Sequence, residues 1–271
     1  MLNVTPDSFS DGGRFDDPEA ALSHARRMIA EGADVIDVGG ESSRPAGKTY
    51  GQGAAHVEAE QERARVVPVV ERVAGGLGAR VSIDTVKASV ARAALAAGAT
   101  IVNDVSCGRS EELLAAAAEG GADLVLMHNR GRGEVDENNT RYRDIVADVV
   151  GELREAVARA EAMGVERERV WVDPGIGFAK TSAQSATLLA RTAELVATGH
   201  RVLVGPSRKS FIAELAPGPD GARPAPDERA GGTAAAIAVA VMGGAHAVRV
   251  HDVAVMRQAA LVARALGGRR G

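Results

Sequence analysis

The sequence holds a single cysteine, Cys107, in 271 residues. One thiol cannot form an intramolecular disulfide, and it cannot supply the several thiolates of a cysteine-ligated zinc site. This excludes the disulfide-rich secreted class and suits a reducing compartment. The sequence also lacks any apolar stretch near the roughly 20 residues that a membrane span needs. We therefore expect a cytoplasmic protein with no membrane partner.

Aromatic residues are scarce, at 3% of the chain, although 45% of it is hydrophobic. Small and branched aliphatic side chains must therefore build the core. The net charge of -4 provides no strong positive field, so we predict no nucleic-acid partner. The composition is that of an ordinary globular protein, and we predict one domain over residues 1–271.

Several catalytic motifs are also missing. No GxGxxG follows the first apolar run, which argues against a dinucleotide-binding fold. The chain contains no HExxH zinc motif and no arrangement of Ser, His and Asp typical of a hydrolase. The chemistry must therefore be sought in residues that are spread along the chain.

Four segments of the sequence resemble one another. In each, a helical stretch ends at glycine, passes through alanine and enters an apolar run that finishes in polar residues. The segments read EGADVIDVGG, AGATIVNDVS, GGADLVLMHN and MGGAHAVRVHD. The glycine after each helix takes a position where a left-handed backbone is common. These glycines are Gly32, Gly98, Gly121 and Gly244.

Further runs complete a set of eight candidate strands. They are MLNV at the start, RVSIDT near Ile83, RVWVDPG near Val172 and RVLVGPS near Val204. Continuous apolar runs of this kind are typical of parallel strands covered on both faces. Between them lie Ala-rich helical stretches, such as Pro18 to Ala30, Val86 to Ala97, Tyr142 to Met163 and Asp252 to Ala265. Eight alternating units predict an α/β protein with a (β/α)8 TIM barrel, and an open doubly wound sheet is the alternative.

Polar side chains follow almost every predicted strand. The chemistry of a (β/α)8 barrel lies at these carboxyl ends of the strands. The residues are Asn3, Asp37, Asp84, Asn103, Asp104, Met127, His128, Asp173, the run from Gly205 to Lys209, Arg249 and His251. A single aspartate here is often only the N-cap of the next helix, and a single histidine is often structural. Their convergence nevertheless predicts one shared site.

The residue types indicate what such a site binds. Guanidinium and imidazole donors suit a phosphorylated group, whereas short carboxylates and amides suit the edge of a flat nitrogen heterocycle. The donors are Arg44, Arg249 and His251, and the second set is Asp84, Asn103 and Asp173. Lys209 can add a cation or a donor. We predict a site that orients a nitrogen heterocycle beside an anion.

Eight short segments carry these residues in order along the chain. They read LNVTPDSFSDGG, IDVGGESSRP, SIDT, IVND, LMH, DPGIGF, GPSRKSF and RVHDV. Each is weak alone, but together they cover almost the whole chain. Through them the sequence resembles the dihydropteroate synthases of folate biosynthesis, a pterin-binding TIM-barrel family.

The resemblance implies a transferase reaction. In it, 6-hydroxymethyl-7,8-dihydropterin pyrophosphate condenses with p-aminobenzoate to give 7,8-dihydropteroate and pyrophosphate. It implies an SN1-like course in which Mg²⁺, held by the side-chain oxygen of Asn3, assists the departure of pyrophosphate. It further implies a homodimer and a target of sulfonamides.

The resemblance also implies roles for single residues. The pterin contacts are Asp84, Asn103, Val105, Met127, Asp173 and Lys209. The anion donors are Arg44, Arg249 and His251, and the aminobenzoate lies among Phe9, Ser43, Pro45, Phe178, Ser207 and Ser210. In similar enzymes, the loops that carry Phe9, Asp11 and Pro45 close over the site. Catalytic roles fall to Asp11, Lys209 and Arg249, with Asp11 steadying the carbon cation or taking the proton of the amine.

Two other functions remain open. One is methyl transfer from methyltetrahydrofolate on the same type of barrel, which needs no pyrophosphate clamp. The other is a non-catalytic paralogue that binds pterin without condensing it. Similar proteins carry a longer lead, so we expect a first strand truncated at the N-terminus. Gln184 and Ser185 also stand where many relatives have His-Asn.

Overall fold

The computed structural model describes residues 1–4, 18–41, 56–131 and 138–267. All eight predicted strands are confirmed. They are β1 (Leu2–Asn3), β2 (Val35–Gly39), β3 (Arg80–Asp84), β4 (Ile101–Asp104), β5 (Asp123–Met127), β6 (Val170–Asp173), β7 (Arg201–Val204) and β8 (Ala247–Val248). Their order in the sheet follows the chain from β1 to β8. β1 has only two residues, which agrees with the expected short first strand.

Ten α-helices are found in the described ranges. They are α1 (Pro18–Ala30), α2 (Ala59–Glu71), α3 (Ala88–Ala96), α4 (Glu111–Glu119), α5 (Ile145–Ala162), α6 (Ser182–Ala190), α7 (Thr192–Val196), α8 (Ser210–Leu215), α9 (Ala230–Met242) and α10 (Val253–Gly267). α1 begins at Pro18 as predicted, because the fixed φ of proline suits the first turn. The predicted start at Tyr142 is wrong by three residues. Asp144 accepts hydrogen bonds from the N–H groups of Val146 and Ala147, at 2.9 and 3.0 Å, so the helix begins after this cap.

The repeated Gly-Ala pair ends a helix in the same way each time. Gly32, Gly98, Gly121 and Gly244 have φ values of 95, 108, 56 and 91°. The alanine after each glycine donates its N–H to a carbonyl five residues earlier, at 2.9 to 3.0 Å. This bond is the mark of a Schellman C-cap, which needs the left-handed glycine. A helix C-cap of the same kind therefore precedes four of the strands.

The described chain falls into two compact units. The first consists of residues 1–4, 18–41, 56–126 and 155–170. Its strands β1 to β5 pair in parallel, each with the next. Its core joins buried strand residues such as Ile36, Ile83 and Val102 to helix residues such as Val66 and Leu113. Apolar contact on both faces explains why the strand sequences do not alternate.

The second unit consists of residues 127–131, 138–154 and 171–267. Here β6 pairs with β7, and β7 with β8, again in parallel. Val172, Val204 and Ile237 are among its buried core residues. Among the described residues, none of the helices combines the length and the apolar character that crossing a membrane requires. The single domain over residues 1–271 stays a prediction.

Candidate active site

In the first unit, the register of β1 to β4 places three polar side chains and one glycine next to one another at the ends of the strands. The register aligns Asn3 with Gly39, Gly39 with Asp84, and Asp84 with Asn103. Residues that are paired across parallel strands point to the same face of a sheet. Asp84 and Asn103 are buried there, and Asn3 is exposed. The structure thus gathers three of the predicted side chains on one face.

Gly39 leaves the space that lets two of these side chains approach. A Cβ atom at this position would lie 3.8 Å from Oδ1 of Asn3 and 3.5 Å from Cβ of Asp84. Any side chain beyond Cβ would therefore fill the gap between the amide and the carboxylate. Gly40, the second glycine of the GGE segment, has even less space for a side chain, because a Cβ there would lie 2.7 Å from Cγ1 of Val66.

The donor set here fits Mg²⁺ only as an ion shared with a substrate. An amide oxygen, such as Oδ1 of Asn3, is a hard ligand of the kind that Mg²⁺ accepts. Within the described ranges, no group of three or more His, Cys, Asp or Glu residues could hold a metal. Mg²⁺ usually takes one or two protein oxygens and completes its shell with phosphate and water. The residues present therefore fit a metal that arrives with a phosphorylated ligand.

Asp104 has a structural role. Its carboxylate is fully buried and accepts hydrogen bonds from the Ser106 N–H at 2.7 Å, the Ser106 hydroxyl at 2.6 Å and the Gly108 N–H at 2.6 Å. Burial raises the pKa of this carboxyl, and these hydrogen bonds oppose the rise. The carboxylate is committed to the turn after β4, in which Val105 is half-buried.

In the second unit, Asp173 is the best-defined polar group. Its side chain is buried, and Oδ1 accepts the N–H of Gly175 at 2.7 Å. Burial raises the pKa of Asp173 to about 6, whereas the Gly175 hydrogen bond and the charges of Lys209 and Arg249 act in the opposite direction. A carboxylate kept ionised by cations is suited to accept hydrogen bonds from a heterocycle.

Gly205 allows Arg249 to come close to Asp173. A Cβ at Gly205 would lie 3.7 Å from Cβ of Arg249 and 3.9 Å from Oδ2 of Asp173. The Arg249 N–H donates to the carbonyl of Val204 at 3.0 Å, which continues the pairing of β7 with β8. The predicted anion donor and the predicted pterin ligand therefore flank a single glycine.

Lys209 and Phe178 form the next contact of this group. The ammonium of Lys209 lies 3.9 Å from the centre of the Phe178 ring, which is a cation–π distance. Ser210 is the first residue of α8 and is half-buried. Met127 ends β5 and is buried. Lys209, Phe178 and Asp173 thus belong to one cluster of the second unit.

His251 is held by Ser207. The backbone N–H of His251 donates to Oγ of Ser207 at 3.2 Å, and the same hydroxyl lies 3.0 Å from the ring nitrogen Nδ1 of His251. The donor in this contact is the hydroxyl when the ring proton lies on Nε2, and the ring when it lies on Nδ1. Burial, and next the charge of Arg208, lower the pKa of His251 to about 3. At pH 7 this residue offers a hydrogen-bond donor and not the positive charge that its type had suggested.

Two contacts that anchor the loops after β6 and β7 were not predicted from the sequence: that of Arg208, which lies inside the predicted run from Gly205 to Lys209, and that of Lys180, which was not among the predicted site residues. Arg208 has a φ of 59° and donates from Nε to Oδ2 of Asp252 at 3.0 Å, which ties the loop after β7 to the start of α10. Lys180 donates to Nδ1 of His128 at 2.8 Å. The sequence places Lys180 seven residues after the end of β6, at the end of the glycine-containing segment DPGIGFAK.

Other predicted positions are accounted for as follows. Gln184 and Ser185 serve the loop after β6, since Gln184 completes a capping box with Thr181 and donates to the Thr140 carbonyl at 2.8 Å. Oγ of Ser185 accepts the Gly177 N–H at 3.3 Å. Five predicted site residues lie outside the described residues, namely Phe9, Asp11, Ser43, Arg44 and Pro45.

Comparison with known proteins identifies the family. The model of the family described as "Pterin binding enzyme" matches residues 1–251. The dihydropteroate synthase of Mycobacterium leprae is 49% identical over 93% of this chain and 87% of its own length. That of Synechocystis is 45% identical over 98% of this chain and 88% of its own.

Solved structures agree with the sequence matches. The dihydropteroate synthase of Xanthomonas albilineans, solved with 4-aminobenzoic acid, superposes with a TM-score of 0.87. It is 43% identical, and the match covers 98% of this chain and 90% of that one. This similarity confirms the (β/α)8 TIM-barrel fold class. The chain belongs to the dihydropteroate synthase family of pterin-binding transferases.

Proposed function

We propose that this chain joins 6-hydroxymethyl-7,8-dihydropterin pyrophosphate to p-aminobenzoate, forming 7,8-dihydropteroate and releasing pyrophosphate. One observation carries the proposal. The buried carboxylate of Asp173 stands next to Arg249 across Gly205, and Lys209 is among the cations that favour its ionised form. A heterocycle acceptor beside an anion donor is what this substrate requires. Two structures of the dihydropteroate synthase of Xanthomonas albilineans were solved with 4-aminobenzoic acid and with 7,8-dihydropteroate, which are one substrate and the product of the proposed reaction.

The pterin is assigned to short, buried polar groups. Asp173 accepts hydrogen bonds from ring N–H groups, and a buried acceptor discriminates strongly against ligands that lack these donors. The resemblance to the family assigns Asp84 and Asn103 to the pterin as well, and the two are buried side by side on β3 and β4. Val105 and Met127 supply apolar contacts to it.

The leaving group is assigned to donors in the second unit. The bond between the pterin methylene carbon and the ester oxygen breaks, and pyrophosphate departs with the electron pair. Arg249 stabilises the negative charge that grows on the phosphate. We assign His251 the tautomer that carries its proton on Nε2, so that this nitrogen donates to the phosphate while Nδ1 accepts from Ser207. Mg²⁺, held by the amide of Asn3, would add its charge at the phosphate oxygens. The aryl amine is a weak nucleophile, so stabilising the departing anion carries most of the catalysis and favours an SN1-like course.

The amine side of the reaction is assigned to the loop residues and to the cluster around Lys209. The amine nitrogen gives its lone pair to the methylene carbon and then loses a proton, for which Asp11 is the proposed acceptor. Phe178, Ser207 and Ser210 frame the aminobenzoate. Lys209 is held over Phe178 and links this pocket to the pterin.

A coupled assay for pyrophosphate tests the function. Release must depend on both substrates, and Arg249→Ala should lower kcat/KM by about 10² to 10³, by analogy with a lost oxyanion-hole donor. Arg257→Ala is the matched control, because it removes the same charge from an exposed position on α10. Pterin binding without release would favour the non-catalytic paralogue. Methyl transfer from methyltetrahydrofolate would favour the other alternative, which needs no pyrophosphate clamp. The segments SRKS and RVHD, with Arg249 and His251 as the proposed pyrophosphate donors, argue against it.

We also propose a cytoplasmic homodimer in which a second copy covers an apolar face of α9 and α10. Met242 on α9, and Val262 and Leu266 on α10, are 54, 54 and 64% exposed. Single exposed apolar residues are ordinary, but a contiguous group of this kind usually marks an interaction surface. Light scattering should give a dimer mass for the wild type and a monomer mass for Met242→Glu. A monomeric wild type would overturn this part of the proposal.

A further inference from the structure

Lys180 is a buried residue of the loop that connects β6 to α6. Its side chain is 4% exposed, and its ammonium donates to the carbonyl of Phe178 at 2.9 Å and to Nδ1 of His128 at 2.8 Å. A third acceptor, the carbonyl of His128, lies at 3.5 Å. His128 is 0% exposed, and its other ring nitrogen lies 3.0 Å from Oε2 of Glu152. Because Nδ1 accepts from the ammonium, the ring proton lies on Nε2 and is donated to Glu152.

The loop that Lys180 holds has an unusual backbone. Gly175 has a φ of 65°, and a Cβ atom there would lie only 2.0 Å from the carbonyl oxygen of His128. Ala179 adopts a φ of 48°, in a region that a residue with a Cβ rarely enters. The Tyr142 hydroxyl donates to the Ala179 carbonyl at 2.9 Å. Such a conformation persists only where neighbouring contacts hold it.

The use of lysine at this position is selective. The chain has 28 arginines and only four lysines, Lys48, Lys87, Lys180 and Lys209. A compact ammonium fits three acceptors in a closed space, whereas a planar guanidinium does not. These three acceptors are neutral groups. The positive charge of Lys180 acts on Asp173 together with the charges of Lys209 and Arg249.

We propose that Lys180 is a positioning residue for the pterin substrate, which holds the loop from Asp173 to Phe178 in place and supplies buried positive charge that keeps Asp173 in its hydrogen-bond-accepting form. The proposal rests on the proposed function of the site. It adds that kcat/KM for the pterin substrate depends on a lysine that is not among the pterin contacts assigned above. At one end of this loop the ammonium donates a hydrogen bond to the carbonyl of Phe178, and at the other end its positive charge acts on the carboxylate of Asp173.

The test is the pH profile of kcat/KM for pterin pyrophosphate, at saturating p-aminobenzoate. In the wild type the acid limb should lie near pH 6, where Asp173 takes up a proton. Two other titratable groups near Lys180 have pKa values below this limb, His128 at about 4 and Glu152 at about 2. The neighbouring charged residues Arg249 and Lys209 are the same in every variant. Lys180→Gln keeps a donor but removes the charge. We expect its acid limb to move to higher pH by about one pH unit, since a nearby opposite charge lowers a carboxyl pKa by about 1 to 3.

Tyr142→Phe is the matched control. It removes one 2.9 Å hydrogen bond to the neighbouring carbonyl of the same loop and leaves the charge unchanged. Its kcat/KM can fall, but its acid limb should stay at the wild-type position. An unmoved acid limb in Lys180→Gln, or an equal displacement in both variants, would overturn the proposal.

Lys180→Arg provides a second route if Lys180→Gln does not fold. This variant keeps the positive charge, but its guanidinium cannot donate to all three acceptors. We therefore expect kcat/KM at pH 8 to fall by about tenfold, which corresponds to the loss of about 1.4 kcal/mol of hydrogen bonding, while the acid limb stays at the wild-type position. A displaced acid limb in Lys180→Arg contradicts the proposal. A wild-type protein that releases no pyrophosphate disproves the proposed function instead, which is a separate and visible outcome.

Discussion

Replacing Asp173 with asparagine should make the protein more stable at neutral pH while it removes most of the activity. Asp173 is buried, and burial raises its pKa from the ordinary 3.8 to about 6. One pKa unit corresponds to 1.36 kcal/mol, so the ionised carboxylate costs about 3 kcal/mol of folding free energy above pH 6. Asparagine has no charge to desolvate, and its oxygen can still accept the Gly175 N–H.

The sign of the pH dependence follows from proton linkage. Between pH 3.8 and about 6 the folded state binds the Asp173 proton more tightly than the unfolded state does. The contribution of this group to stability is therefore present below pH 3.8 and is lost as the pH rises through 6. The free energy of unfolding of Asp173→Asn, minus that of the wild type, should increase by up to about 3 kcal/mol over this window and then level off.

Urea unfolding of the ligand-free protein, followed by circular dichroism from pH 4 to pH 8, measures this difference. Asp227→Asn, at an exposed position after β7, controls for the loss of one negative charge. In the same preparations, kcat/KM of Asp173→Asn should fall by about 10² to 10³. A difference in unfolding free energy that is flat with pH would refute the reasoning, because it would mean that the carboxylate is ionised at no cost.

Two further predictions concern stability. The pKa of His128 is lowered to about 4, mainly by burial and then by the charge of Lys180. The free energy of unfolding of the wild type should therefore fall by up to about 3 kcal/mol as the pH falls from 6.5 through 4. His128→Gln should lack this part of the acid dependence in urea titrations, and equal acid dependence in both proteins would contradict the prediction. Gly175→Ala should cost about 3 kcal/mol or more, because its Cβ would collide with a backbone carbonyl at 2.0 Å, whereas Gly78→Ala, at a φ of 62° in open space, should cost about 1 kcal/mol by thermal unfolding. Similar losses in the two glycine variants would show that backbone strain alone, and not the collision, sets the cost.

Much of the fold could be predicted because local signals repeat along the chain. The Gly-Ala pair marks a Schellman cap four times, and each cap is followed by a strand. Helix starts were less certain, since Tyr142 belongs to the helical pattern but the Asp144 side chain caps the backbone after it.

The candidate site could be predicted only in part. Residue types pointed to Asp173 and Arg249, but the spacer role of Gly205 depends on the register of neighbouring strands. Lys180 and His128 are 52 residues apart in the sequence, and no local pattern predicts that both side chains turn inward to meet. Tertiary contacts of this kind carry no periodic signal. The roles of the site residues toward substrate stay predictions.

The most direct test of the central claim is pyrophosphate release by the purified protein with Mg²⁺, pterin pyrophosphate and p-aminobenzoate. We predict stoichiometric formation of dihydropteroate and pyrophosphate in the wild type, a loss of about 10² to 10³ in Arg249→Ala, and full activity in Arg257→Ala. Multiple-turnover release that does not require p-aminobenzoate, or that survives the loss of Arg249, would contradict the account.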